Sequence, residues 1–307
     1  GWLGMCIAEQ HGGSGLGITE AAIMMQTIAQ SGGGMSAASS VHINLFGLNP
    51  VAVFGNHEQR ARMLPPVARG QVKSCFGVTE PNTGLNTTQL KLRADKRGDR
   101  YVLNGSKMWI TGAQGADWGI VFARTGEQGD RGGISAFIVK GQPAGMSLKP
   151  IPVIRSYAPY EITFKDVQIP VEDRLGDEGQ GFAICEKWLI EGRIPYAAGT
   201  IGIAQQALQI AIDWARDRET FRSKLADKQA VQWMIADSEM ELRAARLLTW
   251  QAAWIADSGR GDLKVASSIA KVVATETAGR VRQVFIRLLD GILGEIGREL
   301  DASPATR

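Results

Sequence analysis

SCFGVTEPNTGLNTTQLKLRADKRGDRYVLNGSKMWITG, residues 74–112, is the stretch that decides how this chain is read. Cys75, Phe76 and Val78 form an apolar run that closes at Val78-Thr79, and the cluster Glu80, Pro81, Asn82, Thr83, Gly84 follows, as expected where a strand ends in an irregular loop. Such a loop leaves backbone N–H groups free. Gly84 lets the main chain pass close to a ligand or take positive φ, so the loop suits a pyrophosphate without any lysine. Further on, Tyr101-Val-Leu, Asn104-Gly105 and Lys107-Met-Trp-Ile carry a hairpin signal, with Asn-Gly as the two positive-φ residues of a type I′ turn. Trp109, Ile110 and Thr111 fall on its second strand. A Trp beside a Thr hydroxyl gives a planar ring one apolar wall and one hydrogen bond. The alternative reading is a sheet in which Trp109 and Ile110 are simply core.

Composition is that of a globular enzyme. The chain has 307 residues, 44% of them hydrophobic, enough for a large core and about two domains by length. Net charge is +3 with basic and acidic residues interspersed, which argues against a nucleic-acid groove. Cys6, Cys75 and Cys185 are far apart, odd in number and in apolar surroundings, the pattern of buried thiols in a reducing compartment. His11, His42 and His57 lack partners at metal-ligand spacing, so no metal is expected. Charges are expected to interrupt the apolar runs before the roughly eighteen residues a membrane span needs.

Working outward, residues 1–73 read as a partial helical domain. Ile18 to Ala29 repeats at helical spacing and is stopped by Gly32-Gly33-Gly34, and a short helix after Asn56, with Gln59 at capping-box spacing, ends at Pro65-Pro66. The glycines of Gly12 to Gly17 lack dinucleotide-motif spacing and read as a loop. Residues 74–175 switch to period two, with strands expected at Gly119 to Ala123, Ile134 to Val139 and Tyr160 to Phe164, giving a central antiparallel β-barrel or sandwich. Residues 176–307 return to helix. Three apolar faces are expected: Ile201, Ala204, Leu208, Ile212 and Ala215; Val231, Met234, Ile235, Met240, Leu242, Leu247 and Leu248; Val265, Ile269, Val272, Ala278, Val281, Phe285 and Leu288. Long helices with short connections make an antiparallel bundle. Trp214, Trp233, Trp250 and Trp254 exceed what one core face needs and point to a subunit interface.

The pair VTEP and WIT, in this order and at about this separation, resembles the acyl-CoA dehydrogenase family, whose α+β fold places a helical domain, a β-barrel and a helical bundle in series. The resemblance implies FAD as cofactor. It assigns Phe76, Val78, Thr79, Gly84, Leu85, Trp109, Ile110 and Thr111 to the flavin, with Leu85-Asn86 standing where the family usually has Ser-Asp. A backbone contact survives that change; a hydroxyl contact to pyrophosphate or substrate does not. Arg218-Glu219-Thr220-Phe221 with Gln229 matches the segment by which the family reaches the FAD of a neighbouring subunit. There Arg218, Thr220, Phe221 and Gln229 would hold the nucleotide. Taken alone, Arg218 and Glu219 read equally as a solvated helix end. The family also implies a homotetramer, electron-transfer flavoprotein as acceptor, and a bacterial cytoplasm or mitochondrial matrix.

The implied reaction removes an α proton and a β hydride from an acyl-CoA thioester, which needs a carboxylate base made more basic by burial. Most of the family carries this Glu near the C-terminus, in a Tyr-Glu-Gly segment expected beyond Arg307; a minority place it on a bundle helix just before an Arg. Here that place reads Ile190-Glu191-Gly192-Arg193, with Glu191 one residue off, about 100° around a helix. Glu191 is thus the fallback base, and Arg193 is the family's helix Arg near the thioester or a structural residue. The run from Arg287 to Gly297 keeps some glycines of the family's Q-I-x-G-G-x-G but loses the Gln. A flavin monooxygenase and a catalytically inactive relative are the alternative readings on this fold.

Overall fold

The computed structural model describes residues 2–154 and 157–302, with the backbone alone for residue 45 and residues 290–302. The chain forms two compact units, Gly1–Ala21 with Ser39–Gly192, and Ala22–Ala38 with Arg193–Arg307.

In the first unit, β1 (Ser74–Gly77), β2 (Arg93–Arg97), β3 (Arg100–Ile110), β4 (Trp118–Arg124), β5 (Ile134–Lys140), β6 (Met146–Pro150), β7 (Tyr160–Pro170) and β8 (Arg174–Leu175) form one eight-stranded sheet. Its order is β6-β7-β3-β2-β4-β5-β8, with β1 beside β4. The sheet is mixed, since β1 and β2 both run parallel to β4 while the other pairings are antiparallel. β4 and β5 are buried on both faces. Ile120, Phe122, Ile134 and Ile138 enter one core with Met63 and Leu64; Val121, Phe137 and Val139 enter the other with Tyr101, Leu103 and Phe164. Alternation therefore divides two apolar strands between two cores, as expected of strands covered on both sides.

Helices α3 (Asn49–Phe54) and α4 (His57–Ala68), with the first turns of α5 (Gly181–Asp217), bring residues to the first of these cores. The Asn56–Gln59 capping box that opens α4 is fully formed, at 2.8 and 3.0 Å. Pro65 and Pro66 do not end that helix; they lie inside it. Each proline removes only its own N–H, and both carbonyls still accept, from Arg69 and Gln71. The stop comes at Gly70, φ 70°, where Gly70 donates to Val67 and Gln71 to Pro66 in a Schellman arrangement. Similarly, Gly32-Gly33-Gly34 bends the chain rather than stopping it. α1 (Ile18–Ile28) passes through a π turn, Ala29–Gly33, into α2 (Gly34–Gly47), with Gly32 at φ 97°.

By length and composition the Ile18–Phe54 stretch would pass for a membrane-crossing helix. Residues 21–56 hold no Asp, Glu, Lys or Arg, so the expected interruption by charges is corrected: glycine, serine, glutamine and asparagine break the run instead.

The second unit is built on three long helices, α5 from Arg193 onward, α6 (Gln229–Ser258) and α7 (Leu263–Ala302). Their seam holds Ala197, Ile201, Ala204, Leu208, Leu242, Ala245, Ala274 and Val281. A side chain on Gly202 would meet the Gln26 carbonyl at 2.3 Å, so glycine lets α1 lie directly against α5. Two of the expected apolar faces are corrected here. Met240 and Leu247 are 62% and 64% exposed, and Val265, Ile269 and Val272 also face outward. The buried sides of α6 and α7 are lined by Ala, Ser and Thr, including Ala252, Ala270, Ser267 and Thr277, which permit close approach.

Asn104-Gly105 is also not the hairpin turn. β2 and β3 are joined by the two residues Gly98-Asp99, with Gly98 at φ 62°, and β3 runs straight through Asn104 and Gly105. The pair instead faces a bulge in β7, where Asn104 accepts from the Asp166 backbone at 2.9 Å and donates to its carboxylate at 3.1 Å, holding Asp166 at φ 52°. Gly105 has φ 138°, and a Cβ there would lie 2.9 Å from the Leu92 Cα. Gly105→Ala is expected to destabilise the chain by about 2 kcal/mol, read as a lower urea midpoint at unchanged slope.

Candidate functional site

The end of β3 and the segment following β1 run side by side in the first unit. Met108 donates its N–H to the Thr79 carbonyl at 2.8 Å, which brings Thr79 next to the Trp109–Thr111 triplet. A one-residue bulge in β3 between Lys107 and Ile110 sits at this point. Strict alternation would send Trp109 to the same side as Lys107. The extra residue turns it outward, at φ 64° and 52% exposed, while Ile110 becomes core at 2%. Positive φ in a tryptophan is strain, held by the surrounding structure.

The loop after Thr79 is short and tied. Glu80 and Thr83 exchange backbone hydrogen bonds, and the Thr83 hydroxyl donates to the Gln89 carbonyl at 3.2 Å. Pro81, Asn82, Gly84, Leu85 and Asn86 are exposed. Gly84 is not at positive φ, contrary to one of the options for it, and a Cβ there would meet nothing. Among the described residues no backbone carbonyl takes the N–H of Gly84, Leu85 or Asn86, so these donors fit an anion. Leu85 projects fully into solvent. Phe76 stacks on Trp188, ring centroids 3.6 Å apart, and Val78 packs against the same core.

Beneath the loop lie side chains that sequence reading missed. Lys107, fully buried, donates to Glu80 at 2.8 Å and to the Val78 carbonyl at 2.9 Å. The Glu80 carboxylate also accepts the backbone N–H groups of Lys91 and Leu92, at 2.7 and 3.0 Å. Burial pushes the Lys107 ammonium down to about 8, partly offset by Glu80. Arg124, also buried, donates to the carbonyls of Thr88, Leu90, Glu127 and Asp130. Burial lowers its pKa, offset by Asp130 and Glu80. The available signal was a charged residue inside an otherwise alternating apolar strand, uninformative until its partner is known.

A cleft of about 580 Å³ opens beside Thr111 and Gly112, lined also by Ser40, Asn44, Lys73, Ser74, Gln114, Tyr157 and Tyr160. Among the described residues no three His, Cys, Asp or Glu side chains gather as metal ligands. None of the three cysteines is in a disulfide, and burial pushes Cys75 and Cys185 up to about 12.

Glu191, on α5, is paired with Lys187 at 2.8 Å and accepts from Asn49 at 3.1 Å. Next to it, His42 lies 3.1 Å from the Gly192 carbonyl, and burial lowers its pKa below the usual value, offset by that hydrogen bond. In the second unit, Arg193 reaches the Ser268 hydroxyl at 3.4 Å. There too, β9 (Glu219–Thr220) and β10 (Ser223–Lys224) make a small hairpin whose turn residues Phe221 and Arg222 have φ 51° and 65°. Phe221 is 97% exposed, Gln229 is exposed at the start of α6, and the Arg218 guanidinium lies 5.7 Å from the Trp214 ring centre. In the run from Arg287 to Gly297, side chains from Asp290 onward lie outside the described residues.

Profiles of the acyl-CoA dehydrogenase N-terminal, middle and C-terminal domains match residues 1–71, 75–167 and 179–291. The mitochondrial short-chain specific acyl-CoA dehydrogenase of Homo sapiens is 36% identical over 295 residues, 95% of this chain and 71% of that protein. An acyl-CoA dehydrogenase of Bacillus subtilis is 34% identical over 95% of this chain and 77% of its own. Among solved structures, butyryl-CoA dehydrogenase from Megasphaera elsdenii superposes with a TM-score of 0.91 at 33% identity, covering 95% of this chain and 78% of that one. The FAD complex of PigA gives 0.89 at 27%, covering 94% and 76%.

Two outcomes follow from the geometry. Phe221→Asn with Arg222→Gly gives the hairpin residues suited to positive φ and is expected to raise stability by about 1–2 kcal/mol in urea, since Phe221 buries nothing within the chain. For His42, the unfolded chain takes up the proton first as pH falls below about 6.5, so stability present above that pH is lost in acid. The loss is at most about 1.4 kcal/mol per pH unit, and the urea midpoint of His42→Gln is expected to fall less between pH 7 and 5 than that of the unsubstituted chain.

Proposed function

The chain belongs to the acyl-CoA dehydrogenase family of FAD-dependent oxidoreductases, and on that premise we propose that it oxidises a short acyl-CoA thioester between its α and β carbons. The observation that carries this reading is the convergence of Thr79, Trp109 and Thr111 at one strand end, beside a loop with free N–H groups. Bound FAD supplies the hydride acceptor. The two threonines offer hydrogen bonds to the ring and Trp109 an apolar wall, while Gly84 and Leu85 offer main-chain donors to the pyrophosphate. Phe76 and Val78 pack against one core behind this segment and Ile110 lies in the other.

The hairpin of β9 and β10 supports the assignment of Arg218, Thr220, Phe221 and Gln229 to the nucleotide of a second protomer. It carries an exposed aromatic ring on strained backbone, an arrangement with no use inside one chain. A homotetramer is the assembly we propose. Trp233, Met240, Leu247 and Trp254 recur every seven residues on α6, with Trp250 between them, and all are exposed. Electron-transfer flavoprotein as acceptor and a mitochondrial or bacterial cytoplasmic setting remain part of the proposal.

The α proton needs a carboxylate base. Glu191 is tied to Lys187 at 2.8 Å and accepts from Asn49 at 3.1 Å, so its carboxylate is already engaged by neighbours within the chain. Its pairing supports placing the base in the part of the family's length that residues 1–307 do not span, with Arg193 near the thioester. The short acyl chain is supported by the names of the human and Megasphaera relatives.

Anaerobic addition of acyl-CoAs of graded length to the flavin-loaded intact gene product tests this. Bleaching of the flavin band is expected to be fastest with a four-carbon chain and preserved in Glu191→Gln. Loss of bleaching by a hundredfold or more in that variant would make Glu191 the base. Phe221→Asn with Arg222→Gly is expected to weaken FAD retention while raising stability.

A further inference from the structure

We propose that Glu80 and Lys107 are a positioning pair for the flavin, holding the Val78–Thr79 and Trp109–Thr111 segments at the separation the ring requires. This rests on the FAD reading above and adds to it two residues that touch no ligand. The side chains are 4% and 0% exposed, so neither is available to cofactor or substrate.

Their bonds all lead to the cradle. Lys107 spans from β3 to the Val78 carbonyl at 2.9 Å and to Glu80 at 2.8 Å, and one residue further along, Met108 donates to Thr79. Glu80 in turn gathers Lys91 and Leu92, so the loop that offers its N–H groups at Gly84 to Asn86 is fixed at both ends by one carboxylate. The other charged or titratable groups facing Lys107 are Cys185 on α5 and Arg124 on β4. Arg124 completes the frame by taking the carbonyls of Thr88 and Leu90.

General stability does not account for the pair. Two buried charges lose hydration that their mutual attraction barely restores, and apolar residues of like volume commonly serve as well or better. What apolar residues do not supply is a fixed direction. A carboxylate with three donors and an ammonium with two acceptors define where both segments lie, including the strained Trp109 turn at φ 64°.

Three variants of the intact protein test this: Glu80→Gln, Lys107→Met and the double substitution, with Arg62→Met as a control. Arg62 pairs with buried Asp173 at 2.7 Å, away from the cradle. Each is titrated with FAD by fluorescence, unfolded in urea without FAD, and followed by hydrogen exchange at the Met108 amide. Each single variant is expected to raise the Kd for FAD at least tenfold and to speed Met108 exchange by a similar factor. The double variant is expected to recover urea stability but neither of these losses, whereas Arg62→Met loses stability and keeps both. FAD affinity and Met108 exchange at wild-type values in Lys107→Met, or in the double variant should the single one not fold, would overturn the proposal. A wild-type protein that takes up no FAD would instead overturn the functional reading, and unchanged Met108 exchange in the apo variants would then still decide against the pair.

Discussion

A buried lysine paired with a buried glutamate, at the place where β3 meets the segment following β1, is the constraint on which the geometry of that junction depends. Neither charge is tolerable alone at that depth. Once paired, the ammonium must also find the Val78 carbonyl and the carboxylate must find two backbone N–H groups, so the pair fixes main chain on both sides of it. The surrounding sheet supplies the dry setting. Val121, Phe137 and Val139 on one side and Ile120, Phe122 and Ile138 on the other make β4 and β5 an apolar slab. Polar groups within such a slab are forced into one geometry, which is what a cofactor cradle asks of its scaffold.

The features that local chemistry dictates could be read in the sequence: a strand giving way to an irregular loop, which in the structure ends at Gly77, just before Val78-Thr79, the capping box at Asn56, and the succession of helical, period-two and helical patterning. The order of VTEP and WIT carried the family. Where reading fell short, a longer-range competitor decided. Asn104-Gly105 carries a strong hairpin signal, but Gly98-Asp99 closes the turn first, and the glycine then serves the close passage of Leu92. Pro65 and Pro66 looked like a stop because their neighbours' acceptors were invisible. Helical periodicity shows that α6 carries apolar stripes but not which stripe is covered. Here Leu242 and small residues such as Ala245 and Ala252 line the covered side of α6, while Met240 and Leu247 lie outside it. Lys107 could not be placed because a lysine is normally external, and only the three-dimensional neighbourhood of Glu80 makes the interior acceptable.

Strain is concentrated where contacts to something beyond the protomer are assigned. Among the described non-glycine residues with positive φ, Trp109, Phe221 and Arg222 belong to such segments, while Asp166 is held by the Asn104 side chain. Conformations of this kind persist because the adjoining strands over-determine them. The fold thus holds the segments proposed to meet the cofactor away from their local conformational minimum.

The two interior thiols have a further bearing on handling the molecule. Burial pushes Cys75 and Cys185 up to about 12, so both stay as thiols at neutral pH. Oxidants and maleimides act on thiolate, and burial blocks their approach as well. Cys6, half-buried near the N-terminus, donates its thiol to the Gly17 carbonyl at 3.5 Å. The native fold therefore sorts its sulfur chemistry by depth, with two thiols deep in apolar surroundings and the third nearer the surface, remote in sequence from the loop after β1 and the end of β3.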